Sequence, residues 1–359
     1  MKKILTTFMF IILIALVVFP KESMDAGRAG IEICLYTIIP TLLPFFIISN
    51  ILVSARLLDG VIRLFSPITR RLFGLSGNIC FVYLTSALSG YPTGAKLTAD
   101  LYKSNQISSH EAQRIALFSQ ITGPAFMTVI ASSLLKIPDA FIYIFLAHHF
   151  AMGFLTLGYT LIFKKSLVSR INQPSQDKRD VNLATILNQS ILGSAKTLAL
   201  ICCLVIFFYT ITALIDRVGW IDLLYKLLFK SDIKNTPVKE IIFGFLEMTL
   251  GCIKISTLAI SVNQKIAISC GFLSFGGLSI FFQSKTILQS ARIKTNGLLI
   301  FKLCHGTIAY LLSRLMLKLY PLKIETANFT ETTKAISYSY LYLPLIILIY
   351  VIFKRARRN

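Results

Sequence analysis

Charge is scarce in this chain. Asp, Glu, Lys and Arg make up 15% of its 359 residues, and acids are the scarcer sign, 16 against 37 bases. Soluble domains carry about 25% charged residues. Here 55% of residues are hydrophobic, which excludes an ordinary soluble fold. Histidine is rare at four residues, and the seven cysteines contain no C-x-x-C pair. Those absences argue against a metal framework or a disulfide scaffold. The cysteines (Cys34, Cys80, Cys202, Cys203, Cys252, Cys270, Cys304) lie in or beside apolar runs, as small hydrophobes do. No G-x-x-x-x-G-K-[ST] motif occurs, so the sequence offers no phosphate loop. No nucleophile–base pattern stands out either, and the chain reads as a non-enzyme without a cofactor. The net charge of +21 does not describe a nucleic-acid binder. Lys and Arg flank apolar runs instead of forming a stripe, which is how cytoplasmic ends of membrane spans read.

What the sequence does contain is a series of apolar runs, and roughly 20 such residues cross a bilayer. Ile4 to Phe19 ends at Phe19-Pro20-Lys21-Glu22, which is no signal-cleavage site, so it reads as an anchor with its N-terminus inside. Ser23 to Gly30 reads as a polar connection, an interfacial helix or turn. Ile31 to Val53 is long enough to span, with kinks expected at Pro40 and Pro44. Leu57 to Phe73 alternates arginines with apolar residues, as an interfacial helix does. Ile79 to Ser89 enters the membrane but is too short to cross. It breaks at Ser89-Gly90-Tyr91-Pro92-Thr93-Gly94-Ala95-Lys96, and Ala95 to Tyr102 returns. Glu111 to Leu135 reads as one crossing interrupted at Thr122-Gly123-Pro124, and Pro138 to Phe163 as a further span.

A basic linker containing Lys164, Lys165, Arg170, Lys178 and Arg179 follows. Past it the order of elements repeats. Ile191 to Leu214 spans, and Val218 to Phe229 is amphipathic. Ile241 to Leu250 enters and breaks at Gly251-Cys252-Ile253-Lys254. Ile266 to Phe282 is interrupted at Ser274-Phe275-Gly276-Gly277-Leu278-Ser279, and Leu298 to Leu319 spans. Counting crossings orients the two halves oppositely. The expected fold is therefore an all-α polytopic membrane protein of two inverted-topology repeats. Each repeat has a re-entrant helical hairpin and a discontinuous transmembrane helix, and extra spans lie at the termini. The divisions are an anchor at 1–26, the first repeat at 27–163, a cytoplasmic linker at 164–185, the second repeat at 186–320, and an external loop, last span and basic tail at 321–359. Lys226, Lys230, Lys234 and Lys239 oppose this topology by falling outside.

Broken segments at membrane depth free backbone groups that lipid cannot satisfy, so they must be buried in protein or line a wet cavity. At Leu88 to Lys96, at Ser274 to Ser279 and at Glu247-Met248-Thr249-Leu250-Gly251 the sequence resembles the YlbJ-type sporulation integral membrane proteins, built from two nucleoside-recognition Gate domains. The resemblance covers roughly Gly27 to Tyr320. It implies a protein of late endospore formation, in the membranes around the forespore, with a role in moving dipicolinic acid. Related Gate proteins include nucleoside transporters and the membrane part of ferrous-iron transporters, so the label alone leaves the substrate open.

The candidate substrate-binding residues gather at the breaks. Lys96 and Lys254 each follow a hairpin break, and a charge inside a membrane segment marks a functional site by default. Facing each other, they would suit a dianion, assisted by helix N-termini. Otherwise each snorkels to the interface. Tyr91, Phe126 and Phe275 are candidates to stack on an aromatic ring. Glu247, in an apolar run, is a coupling-proton or cation site or the partner of Lys254. Ser89, Thr93, Thr122, Ser279, Gln283 and Ser284 are candidate hydrogen-bond donors, although such residues also bond within and between helices. Gly90, Gly94, Gly123, Gly276 and Gly277 serve backbone geometry and close approach, and Gly251 is a further candidate at the break of the second hairpin. His148, His149 and His305 read as cavity or interhelical hydrogen-bonding groups, since neighbours about 100° apart on a helix suit a metal poorly. The leading function is a secondary transporter or pore for a small anionic solute. The partners are membrane lipid, that solute and a coupling proton or cation, with a homo-oligomer left open and nucleic acid excluded. The alternatives are a non-transporting sporulation scaffold and a nucleoside-type transporter.

Overall fold

A computed structural model of the protein describes residues 2–54, 67, 77–103, 105–163, 183–229 and 237–322. The described residues form helices and connecting turns, with no strand among them. The Leu57–Phe73 segment apart from Pro67, the basic linker from Lys164 to Val181, Lys230, Lys234 and everything past residue 322, including the external loop and the last span, fall outside them.

The first helices follow from the apolar runs. α1 (Lys2–Val18) gives way at Phe19 to α2 (Pro20–Ile33), which has proline in its first turn. A missing N–H is harmless there. Ser23–Gly30 is thus helical and no turn. Its Ala26 and Gly30 are buried against α9 (Leu183–Val218), and a Cβ on Gly30 would lie 3.0 Å from the Ile206 Cα. A π-helical turn, Cys34–Ile38, joins α2 to α3 (Ile39–Ser54), which carries Pro44 inside it. Proline clashes with the carbonyl one turn earlier, and widening the turn ahead of Pro40 relieves that crowding. The expected disturbance at Pro40 therefore takes the form of a π-turn.

Next come α4 (Gly77–Ser89), α5 (Thr93–Lys103), α6 (Ser109–Phe118) and α7 (Pro124–Thr128), the last running on as π-helix to Leu134. Ser108 caps α6 by accepting from the Glu111 N–H. α8 (Ala140–Ile162), α9 and the short α10 (Trp220–Phe229) follow. The rest is α11 (Val238–Leu246), α12 (Met248–Thr257), α13 (Val262–Phe275), α14 (Gly277–Ser290) and α15 (Leu298–Leu319). A capping box between Ser261 and Gln264 starts α13. α13 packs most closely on α15, α15 on α8, and α9 lies along α2 and α3.

The distribution of polarity is the reverse of a soluble protein's. Phe10, Val17, Tyr36, Ile162, Leu183 and Ile300 are exposed, while Thr98, His148, Ser194, Ser274, Ser284, Lys302, His305 and Ser313 are buried. Apolar surface outside and hydrogen-bonding groups inside is the arrangement a bilayer demands. Among the described residues four stretches are long and apolar enough to cross: Ala140–Ile162, Leu183–Val218, Val262–Ser290 and Leu298–Leu319. The third is interrupted at Gly276. The chain is an integral membrane protein whose described elements are all helical.

Candidate functional site

Four interruptions in helices lie in the interior. The first, at Gly90-Tyr91-Pro92, separates α4 from α5 and puts Gly90 at φ +75°. The second, Ser119 to Gly123, separates α6 from α7. The third is a single extended residue, Glu247 (φ −145°, ψ 121°), between α11 and α12. The fourth is Gly276 (φ +82°), between α13 and α14. Glycine holds the three positive-φ positions at these interruptions, Gly90, Gly276 and Gly277, because a Cβ is disfavoured there.

The interruptions touch in pairs through backbone. A Cβ on Gly90 would lie 2.7 Å from the Gly123 nitrogen, and one on Gly123 would lie 3.0 Å from the Gly90 nitrogen. Likewise a Cβ on Gly277 would lie 3.1 Å from both the Leu246 oxygen and the Met248 nitrogen, on either side of Glu247. Side chains then join the pairs. The end of α13 leaves orphan carbonyls. Thr122 Oγ1 donates to the Leu273 oxygen at 2.6 Å, and the Tyr91 hydroxyl reaches the Leu273 and Ser274 oxygens at 3.3 Å. The Thr122 N–H donates to His148 Nε2 at 3.2 Å, and His148 Nδ1 bonds Ser274 Oγ at 2.8 Å. A nitrogen that accepts an N–H is unprotonated, so His148 is neutral with its proton on Nδ1. His305 Nε2 donates to the His148 carbonyl at 2.9 Å. Ser284 Oγ donates to Gln120 Oε1 at 2.6 Å. The histidines thus act as interhelical struts, and the described residues contain no group of side chains suited to a metal ion.

Between the interruptions lies a cavity of about 40 Å³, counted as space open to the centre of a water-sized sphere. Its walls include Ser89, Gly90, Tyr91, Thr122, Gly123, Phe126, Glu247, Ser279 and Gln283, with Phe46 and Val205 from the flanking helices. A single water needs about 10–15 Å³ by this measure. Sites for drug-sized ligands run to roughly 300–1,000 Å³. The chamber therefore has room for a few waters and is too small for a drug-sized solute. Ser89 Oγ and Gln283 Oε1 face it without a protein partner among the described residues, as groups awaiting water or solute do. Glu247 turns its carboxylate onto its own helix, Oε2 accepting from the Leu250 N–H at 2.8 Å and Oε1 from Thr249 Oγ1 at 3.1 Å. It is the N-cap of α12 and a wall of the chamber at once.

Nine of the expected residues lie elsewhere, Ser284 among them in its bond to Gln120. Lys96 is exposed on α5. Lys254 pairs with Asp216 at 3.6 Å and lies over the Phe243 ring, lining a second, open cleft with Glu22, Asp25 and Arg217. Neither lysine lines the chamber, so the expected facing pair is not formed there. Glu247 has no ion pair with Lys254 among the described residues. Gly251 sits within α12, four residues past the real interruption, where a Cβ would lie 2.2 Å from the Gly244 Cα. It serves close packing of α11 on α12. Gly94 does the same against Ser119, Phe275 stacks on Phe245 at 4.7 Å, and Thr93 starts α5. Gly276 and Gly277 lie behind the wall, in the interruption itself. Lys239, placed on the less basic side by crossing count, pairs with Asp216 and Asp222. That local neutralisation accounts for part of the anomalous positive charge.

Sequence reasoning missed Lys302. It is 1% exposed, its Nζ 2.7 Å from the Tyr91 hydroxyl, 3.4 Å from the Gln120 carbonyl and 4.2 Å from the Tyr91 ring centroid. Its signal was in plain view: a lysine four residues into the run Leu298 to Leu319.

The family described as Gate, nucleoside recognition, matches residues 35–138, the stretch from the π-turn to the end of the second interrupted helix. The matched segment supplies the first two interruptions and more than half of the chamber wall named above. The chain is also 27% identical to the sporulation integral membrane protein YlbJ of Bacillus subtilis (strain 168) over 347 aligned residues, covering 88% of this chain and 82% of the relative. No solved structure matches the chain.

Proposed function

We propose that the protein is a transporter or pore of spore formation, moving a small anionic solute through the chamber where the four interruptions meet. The observation that carries this reading is their convergence. Paired broken helices mark binding sites in secondary transporters, because their freed backbone groups can serve a solute. The relative's name supplies sporulation. The resemblance described above supplies dipicolinate and the forespore membranes. In this reading the opening spans α3 and α9, the pairs α4–α5 and α11–α12, the broken helices α6–α7 and α13–α14, and the closing spans α8 and α15 are two inverted repeats around one site. The small chamber corresponds to a closed state, and passage requires it to open.

A nucleoside-type solute is the second reading, favoured by the description of the matching family. Purified protein in liposomes, offered labelled dipicolinate with and without excess nucleoside, separates the two. Uptake above that of empty liposomes, unaffected by nucleoside, supports the anion. Uptake blocked by nucleoside favours the second reading. No flux of either leaves the sporulation role to a non-transporting scaffold.

A further inference from the structure

The feature that the proposed transport leaves unexplained is Lys302. It lies inside α15, a helix long enough to cross the bilayer, and it pairs with no carboxylate among the described residues. An ionised, unpaired lysine at that depth is expensive. The hydrogen-bond inventory agrees with an uncharged amine. A neutral amine has two N–H groups to donate, an ammonium three. The site offers two oxygen acceptors, the Tyr91 hydroxyl at 2.7 Å and the Gln120 carbonyl at 3.4 Å. The Tyr91 hydroxyl can accept from Lys302 because its own proton is directed to the carbonyls of Leu273 and Ser274.

Tyr91 stands between this amine and the chamber. It lines the cavity, whereas Lys302 does not. The other titratable groups around Lys302 are already committed. His148 of α8 accepts from the Thr122 N–H and bonds Ser274. His305, one turn along α15, donates through Nε2 and keeps Nδ1 without a partner among the described residues. His149 bonds the Tyr83 hydroxyl, and the Cys270 thiol of α13 reaches the Ile144 and Ala309 carbonyls. α6 brings Glu111 and Arg114, and Arg114 bonds Thr160 of α8. Among the described residues no carboxylate pairs with Lys302.

We propose that Lys302 is where a proton joins the transported anion: an uncharged amine behind Tyr91 in this closed state, an ammonium paired with the solute's carboxylate once Tyr91 moves aside. The proton is drawn from the solution on the side the solute enters, as hydronium or buffer acid, and is released with the solute on the other side, so the amine returns uncharged at the end of each cycle. This rests on the transport reading and adds to it the coupling ion and the residue that carries it.

The test is proton counting during binding. Dipicolinate is titrated into the full-length protein in detergent, in two buffers of the same pH and different ionisation enthalpy. The difference in heat gives the protons taken up, and about one per dipicolinate is expected for a single amine. Lys302→Met is expected to take up none and to bind at least tenfold more weakly. Lys302→Arg stays charged at all working pH values and is expected to bind without proton uptake. Should either variant fail to fold, the other identifies the site. Binding by the unaltered protein with no proton uptake overturns the proposal while leaving transport intact. So does uptake that persists in either variant, which would assign the proton to His305 or another group. An absence of binding heat in the unaltered protein removes the anion reading, and this proposal with it.

Discussion

Replacing Gly90 with alanine tests the contact on which the chamber is built. Two penalties follow from the geometry. Gly90 sits at φ +75°, and an L-residue held there costs about 1–2 kcal/mol. The new Cβ would also lie 2.7 Å from the Gly123 nitrogen, closer than carbon approaches backbone. The obstacle is main chain, and it cannot rotate away as a side chain would. Overpacking of this kind costs about 1–3 kcal/mol. Together the loss is roughly 2–5 kcal/mol, and at about 2 °C per kcal/mol for a large chain it amounts to a fall of about 4–10 °C in thermal midpoint. Gly153→Ala is the matched control. It lies in α8 with nothing within 4 Å of the added methyl, and alanine in a helix interior gains about 0.5–1 kcal/mol over glycine. The assay is thermal unfolding of purified protein in one detergent, followed by intrinsic fluorescence or dye binding. Gly90→Ala should fall and Gly153→Ala should hold or rise. A Gly90→Ala midpoint within about 1 °C of the unaltered protein would refute the reasoning, because the two interruptions could not then be in backbone contact.

Four other outcomes are expected. Gly277→Ala, which meets Leu246, Glu247 and Met248 from a φ of +73°, should lose stability comparably to Gly90→Ala, by about 2–5 kcal/mol in the same melt. Thr122→Val removes the 2.6 Å bond to the Leu273 carbonyl and should lower stability by about 1 kcal/mol, checked by the same melt. Glu247→Ala removes the cap of α12 and should destabilise by about 0.5–2 kcal/mol. Glu247→Gln keeps an oxygen for the Leu250 N–H and should lose less. Lys96→Ala and Lys254→Ala should leave dipicolinate flux into liposomes within about twofold, since surface charges act weakly.

How much of this could be read from sequence depends on the kind of signal. Gly90, Gly123 and Gly276 could be located because a glycine or Gly-Pro pair inside an apolar run has few other uses. The membrane class followed from the runs themselves. The third interruption was misplaced at Gly251 because glycine there was read as a breaker. Gly251 is instead helical, and its missing side chain admits Gly244 and the Phe272 ring. The break falls on Glu247, where one extended residue suffices because its carboxylate caps the helix that follows. Glycine punctuates a helix or lets a neighbour approach, and local sequence does not distinguish these uses. The lysines failed for a related reason. Lys96 and Lys254 were chosen for their nearness in sequence to glycine motifs, but α5 turns Lys96 outward and Asp216 draws Lys254 into another cleft. Lys302 was passed over because it lies far from any break in sequence. The packing of α15 against α13 brings it behind Tyr91, 211 residues away. Burial in a polytopic fold is decided by which face of a helix meets its neighbours. Depth within an apolar run does not decide it: Lys302 stands only four residues into its run and is 1% exposed, while Lys254, with uncharged residues on both sides, reaches Asp216 in the other cleft.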